Sequence, residues 1–134
     1  MARSSHLLRL IVDCNACWWG ELAESSEDNA VASMICSLAA FCNAHSAQNA
    51  ANRLLVLGAA HGLSSSLIYS TYSAKPSDDP CATIIAGVQR CLQESASSST
   101  SSKECPLAGP LATALCRMFE RTSTITTPYY QTIV

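Results

Sequence analysis

Charge is what this sequence has least of: Asp, Glu, Lys and Arg make up 13% of its 134 residues, about half of the usual share of roughly 25%. Such a surface depends on partners for solubility. A formal net charge of -2 leaves no basic footprint of the kind that binds nucleic acid, so direct contact with DNA or RNA is not expected. No apolar stretch approaches the ~20 residues of a membrane span, and the short apolar segment near the start carries Arg9 and ends at Asp13 rather than at a small-residue cleavage site. Neither a membrane partner nor a secretory leader is expected. G-x-S-x-G, Gly-rich phosphate loops and H-E-x-x-H are also absent, which argues against an enzyme. No internal repeat is found.

What the chain does have is apolar material, 49% of residues with a mean hydropathy of +0.17, enough for the core of one domain. Leu7, Leu8, Leu10, Ile11 and Val12 form a run too continuous for a half-wet strand and too short for a helix. Strands covered on both faces belong to parallel sheets sandwiched by helices, which carry their binding residues just beyond the carboxyl ends of the strands. Asp13 and Asn15 stand at that point, followed by Trp18 and Trp19 in what reads as a loop. Gly20 to Asn29 reads as an acidic turn, with Ser25 and Asp28 spaced as a capping box for the next helix. Val31, Met34, Ile35, Leu38, Cys42 and His45 place that helix through to about Ala47.

Leu54 to Leu57 is a second doubly covered strand ending at Gly58 to His61. A short turn, Gly62 to Ser65, makes the third strand (Leu67, Ile68, Tyr69, Tyr72) antiparallel to it, at a sheet edge. Cys81 to Glu94 reads as a second helix. Ser95 to Lys103 is a low-complexity Ser-rich loop, and a third helix begins at about Pro106 with Leu107, Leu111 and Leu115 on one face and Pro110 in its first turns. Residues 122–134 are rich in β-branched and aromatic residues but contain Pro128, which fits an edge strand or an unstructured end.

The order strand, helix, strand, antiparallel strand, helix, helix resembles the first half of a von Willebrand factor A domain. The motifs narrow this. D-x-N with W-W-G at Asp13, Asn15, Trp18, Trp19 and Gly20, N-A-H at Asn43 to His45, N-R-L-L-V at Asn52 to Val56, and L-A-G-x-L-A-x-A-L-C from Leu107 to Cys116 resemble the small von Willebrand A-like core subunit of general transcription and DNA repair factor IIH (TFIIH). That resemblance implies a three-layer α/β, Rossmann-like fold truncated to about the first three strands and three helices, filling residues 1–121, with 122–134 a divergent tail.

By the same resemblance the chain is a non-catalytic scaffold acting in transcription initiation and nucleotide excision repair, in the nucleus. Its partners are the larger von Willebrand A and ring subunit and other core subunits. Zinc is expected only in a C-terminal region that full family members have. In that sheet order the first strand lies between the second and the fourth, so a missing fourth strand leaves an apolar edge of Leu7 to Val12 open to aggregation unless residues 122–127 cover it.

Many von Willebrand A domains hold a metal through D-x-S-x-S, a threonine before the third helix and an aspartate after the fourth strand. This sequence reads Asp13, Asn15 and Cys17, with Cys105 at or near the threonine position. Thiols are poor ligands for a hard cation such as Mg²⁺, so these residues are expected to be structural and no metal or cofactor is assigned. A metal-dependent adhesion-type domain is one alternative reading. The other is a small thiol or zinc protein built on the C-x-x-C of Cys14 and Cys17, but a second ligand pair for zinc is missing, and a thioredoxin-like motif would open a helix where Trp18 and Trp19 follow. With no secretory signal, the eight cysteines are expected to be mostly small buried hydrophobes. Trp18 and Trp19 are candidates for loop packing or partner contact, one ring in and one partly out.

Overall fold

The computed structural model describes residues 4–25, 29–99, 104–119 and 129–133. Its elements, in chain order, are β1 (His6–Asp13), α1 (Ala16–Ser25), α2 (Ala30–Gln48), β2 (Arg53–Ala59), β3 (Leu67–Ser70), α3 (Pro80–Ser97), α4 (Ala108–Phe119) and β4 (Tyr129–Ile133). The four strands form one sheet in the order β3-β2-β1-β4. β1 runs parallel to both of its neighbours, and β3 is antiparallel to β2, with a register shift between Val56 and Leu57.

The apolar runs place both central strands under cover, as two separate cores show. On one face Leu8, Leu10, Leu54, Val56 and Ile68 pack with Ile35, Ala39 and Cys42 of α2 and Ile84, Val88 and Cys91 of α3. On the other, Ile11, Leu55, Leu57 and Ala59 pack with Ala114, Leu107 and Leu111 at α4. Successive residues of a strand point to opposite faces, and β2 divides its side chains between the cores in that alternation. Arg9, an interruption in the sequence pattern, is 1% exposed and is the largest of the fully buried side chains.

The sheet and helices differ from the sequence reading in four places. First, a fourth strand is present beside β1, with Leu7 opposite Tyr130 and Leu10 opposite Ile133. Tyr129, Tyr130, Thr132 and Ile133 are of strand-forming types, and Pro128 lies outside the described residues. Residues 122–127, expected to cover that edge, lie outside the described residues.

Second, Ala16–Ser25 is a helix, which puts Trp18 and Trp19 on α1 rather than in a loop and shortens the acidic turn. Ser25 closes α1 instead of capping α2, while Asp28 lies outside the described residues; Asn29, at φ 79°, precedes α2 with no side-chain cap. Third, α3 continues through Ser97, so the first part of the Ser-rich stretch is helical; residues 100–103 lie outside the described residues. Asp79 caps its start, accepting from the Cys81 amide at 2.9 Å, with Pro80 in the first turn where its missing N–H costs nothing. Fourth, α2 is long and apolar enough to cross a membrane by length and composition alone, with a mean hydropathy of 1.3. Its Ile35, Ala39 and Cys42 pack into the core over the sheet, while Met34 and Phe41 are exposed.

Paired on both sides, β1 is expected to be the best protected strand. Amides of Leu7 to Leu10, where β2 and β4 both bond, should exchange with deuterium more slowly than those of Leu67 to Ser70 at the edge. Exchange at Leu7 to Leu10 as fast as in β3 would show that β4 does not hold the edge of β1.

Candidate functional site

The carboxyl end of β1 is where the fold gathers the residues singled out in the sequence. Asp13 is the last residue of the strand and its carboxylate is exposed. Its Oδ1 accepts the Asn15 amide at 2.9 Å, and its backbone carbonyl accepts the Trp19 indole N–H at 2.7 Å. Asn15 in turn accepts the Cys17 amide on Oδ1 at 3.0 Å, and its carbonyl takes the Trp19 amide at 3.3 Å. Those two bonds are the signature of an N-cap: the side chain satisfies a donor in the first turn while the carbonyl starts the helical ladder. Asn15 therefore starts α1.

The same junction is tied sideways. The Ala16 amide donates to Ser95 Oγ at 3.1 Å, joining the start of α1 to the end of α3. Cys14 donates its amide to the Ala59 carbonyl at 2.9 Å, prolonging the parallel ladder past β1. From the opposite face, the Cys105 thiol approaches the same Ala59 carbonyl at 3.9 Å. Burial, then the negative charge of Asp13 and a hydrogen bond to it, push that thiol up to about 11. It stays protonated at neutral pH.

This chemistry decides how the degenerate metal loop reads. Asp13 is committed to a backbone amide, Asn15 to a helix start, and Cys105 offers a protonated sulfur where a hard cation needs oxygen. Cys17 is exposed on α1. Among the described residues no three His, Cys, Asp or Glu side chains are grouped to hold a metal ion. The set does not fit Mg²⁺, and its bonds position α1.

The C-x-x-C has a geometry that the sequence reading did not foresee: α1 opens at Ala16, between its two cysteines. Cys14 is buried and Cys17 exposed. His45 and His61 are set at opposite ends of β2. His45 shares a 3.0 Å hydrogen bond with the Arg53 carbonyl, and its own carbonyl accepts Asn52 Nδ2 at 2.8 Å, so it belongs to the helix-to-strand turn. No nucleophile and base pair emerges from either histidine.

Trp19 is 5% exposed and lies in the core under α2, whereas Trp18 is 47% exposed. Their rings meet edge to face, 5.5 Å between centroids and 84° between planes, a favourable aromatic geometry. Trp19 is thereby the anchor of α1, and Trp18 the large apolar side chain it presents outward. Replacing Asn15 with Ala should cost about 1 kcal/mol, the usual value of an N-cap. A urea titration would show it, and an unchanged midpoint would mean that the cap does not hold α1. Ser95 is a residue of this junction with no local signal in the sequence, because it arrives from α3.

Comparison with known proteins follows the same line. A family model described as Transcription factor Tfb4 matches residues 5–131. Among solved structures the chain is similar to one described as the crystal structure of the TFIIH p34 N-terminal domain, with a TM-score of 0.67 and 18% identity. The match covers 96% of this chain and 65% of that chain, so the sequence spans about two thirds of the solved domain. At that identity the likeness shows the von Willebrand A-like fold. No curated protein matches the sequence.

Proposed function

We propose, from the premise that this chain belongs to the transcription factor Tfb4 family, that it is a non-catalytic structural subunit of the TFIIH core. The family match over residues 5–131 carries the reading. The site chemistry supports it, since the residues at the carboxyl end of β1 are consumed in holding α1 and offer neither a nucleophile and base pair nor a hard-cation site. Under this reading the chain acts through protein contacts in promoter opening and nucleotide excision repair, in the nucleus. Its main partner is the larger von Willebrand A and ring subunit. Nucleic acid is held by other subunits, which agrees with a net charge of -2. No cofactor is assigned to this chain, and zinc belongs to the C-terminal region of full family members.

Co-purification tests it. Tagged chain, co-expressed with the larger von Willebrand A and ring subunit, should retain that subunit through gel filtration. Trp18, half-exposed and apolar, is of the residue type that dominates binding energy at interfaces. Trp18→Ala should weaken association about tenfold or more while leaving the circular dichroism unchanged. Failure of the unaltered, folded chain to co-purify would overturn the reading.

A further inference from the structure

Two thiols that the scaffold reading leaves unused meet inside the molecule. Cys14, just past β1, and Cys91, on α3, are both 0% exposed. They converge over Gly58 of β2, where a Cβ would lie 2.9 Å from the Cys91 sulfur and 3.4 Å from the Cys14 sulfur. The absent side chain at position 58 is what leaves room for both. The two thiols are close enough to interact with each other. That interaction lowers Cys91 against the burial that raises it, with the Arg90 charge helping, whereas the same interaction and burial both raise Cys14. Two sulfurs brought this close are what disulfide formation needs, and the Arg90 charge offsets part of the burial that disfavours a thiolate at Cys91.

We propose that Cys14 and Cys91 are a redox modification site that takes a peroxide as a two-electron oxidant and closes to a disulfide joining the β1–α1 junction to α3. The Cys91 thiolate attacks one peroxide oxygen and the other leaves as hydroxide, giving Cys91 sulfenic acid. The Cys14 sulfur then attacks the Cys91 sulfur, the S–S bond forms, and the sulfenic oxygen leaves as water with the Cys14 proton. Both sulfurs are oxidised and the peroxide is reduced. Such bridges in reducing compartments are transient and sensing rather than structural.

Access comes through α1. That helix has one buried side chain, Trp19, so local opening of the junction costs far less than unfolding the sheet. The bridge would lock covalently what the Ala16 to Ser95 hydrogen bond holds reversibly. The other thiols near each other, Cys42 and Cys81, are arranged differently: the Cys81 sulfur is directed at the Ala39 carbonyl, 3.9 Å away.

The test uses the full chain with its exposed cysteines, Cys17, Cys36 and Cys116, replaced by Ser. Reduced protein is treated with one equivalent of hydrogen peroxide, alkylated with N-ethylmaleimide, digested and mapped by mass spectrometry. The expected product is two hydrogens lighter, carries a Cys14–Cys91 linked peptide and reverts with dithiothreitol. Gly58→Ala, which drives a Cβ against the Cys91 sulfur, should slow the linkage at least tenfold. The proposal is overturned by a Cys42–Cys81 bridge in its place, by sulfinic acid on a single residue, or by undiminished alkylation of Cys14 and Cys91 after peroxide. These outcomes are read on the parent protein and do not depend on whether Gly58→Ala folds.

Discussion

Leu54→Ala should destabilise the protein by about 2–5 kcal/mol, the range for emptying a fully buried leucine site. Leu54 is 0% exposed at the start of β2, in the core that joins the sheet to α2 and α3. Its backbone is fixed as well: the amide donates to Thr71 Oγ1 at 2.6 Å, and the carbonyl accepts from the Thr71 amide and hydroxyl, both at 3.0 Å. A strand pinned in this way cannot slide to fill the space, so the cavity persists and the loss should fall in the upper part of the range. Against a total stability of roughly 5–15 kcal/mol for a domain of ordinary size, that is a large fraction. Leu115→Ala is the control, because Leu115 is 49% exposed on α4 and should change stability by less than about 0.5 kcal/mol. Urea unfolding of the two variants beside the parent settles it, and equal midpoints for Leu54→Ala and Leu115→Ala would refute the placement of this core.

Alkali should unfold the protein through its thiols. Burial, with the charge of Cys81 as a second cause, moves Cys42 from 9.0 to about 11, and Cys105 is raised to the same level. A raised pKa means that the folded state keeps the thiol proton where the unfolded chain has lost it. The associated stability is therefore complete below pH 9 and disappears as pH climbs through 11. For the fully buried Cys42 the two-unit shift corresponds to about 3 kcal/mol lost over that window; half-buried Cys105 adds a smaller, solvent-screened amount. Denaturation midpoints measured under reductant from pH 8 to 11 should fall steeply above pH 9, and Cys42→Ala should flatten the fall even though it starts from lower stability. Parallel curves for the two proteins would exclude Cys42 as the cause.

How far the sequence foretold this structure depends on how local each signal was. The central strands were legible because a strand covered on both faces writes an unbroken apolar run, as Leu7 to Val12 and Leu54 to Leu57 do. The α2 helix was legible from its three- and four-residue spacing. Helix α1 was not, because its acidic second half resembles a turn and paired tryptophans are rare helix formers. Asn15 standing two residues before Cys17, with Trp19 and Leu22 three apart, was the signal that could have revealed it. Ser95 and Ser97 looked like part of a loop on composition alone, yet they extend α3 and Ser95 reaches back to α1. The D-x-N of Asp13 and Asn15 suggested a metal loop in sequence, whereas the bond from the Cys17 amide to Asn15 Oδ1 is one of helix initiation. Nothing in the spacing of Cys14 and Cys91 could announce that they meet, since the contact is made by the crossover of α3 over the sheet and by a glycine on a third element.

The pairing of β1 has a further meaning during synthesis. His6 pairs with Tyr129, so β1 must wait on the ribosome until β4, far downstream in the chain, has been made. At ordinary elongation rates of about 5–20 residues per second that wait is on the order of ten seconds. Throughout it, an apolar strand with one bare backbone edge stands ready to pair with a neighbouring nascent chain. The nascent protein should therefore be a client of ribosome-associated chaperones, and the yield of folded chain should depend more on how that interval is guarded than on the stability finally reached.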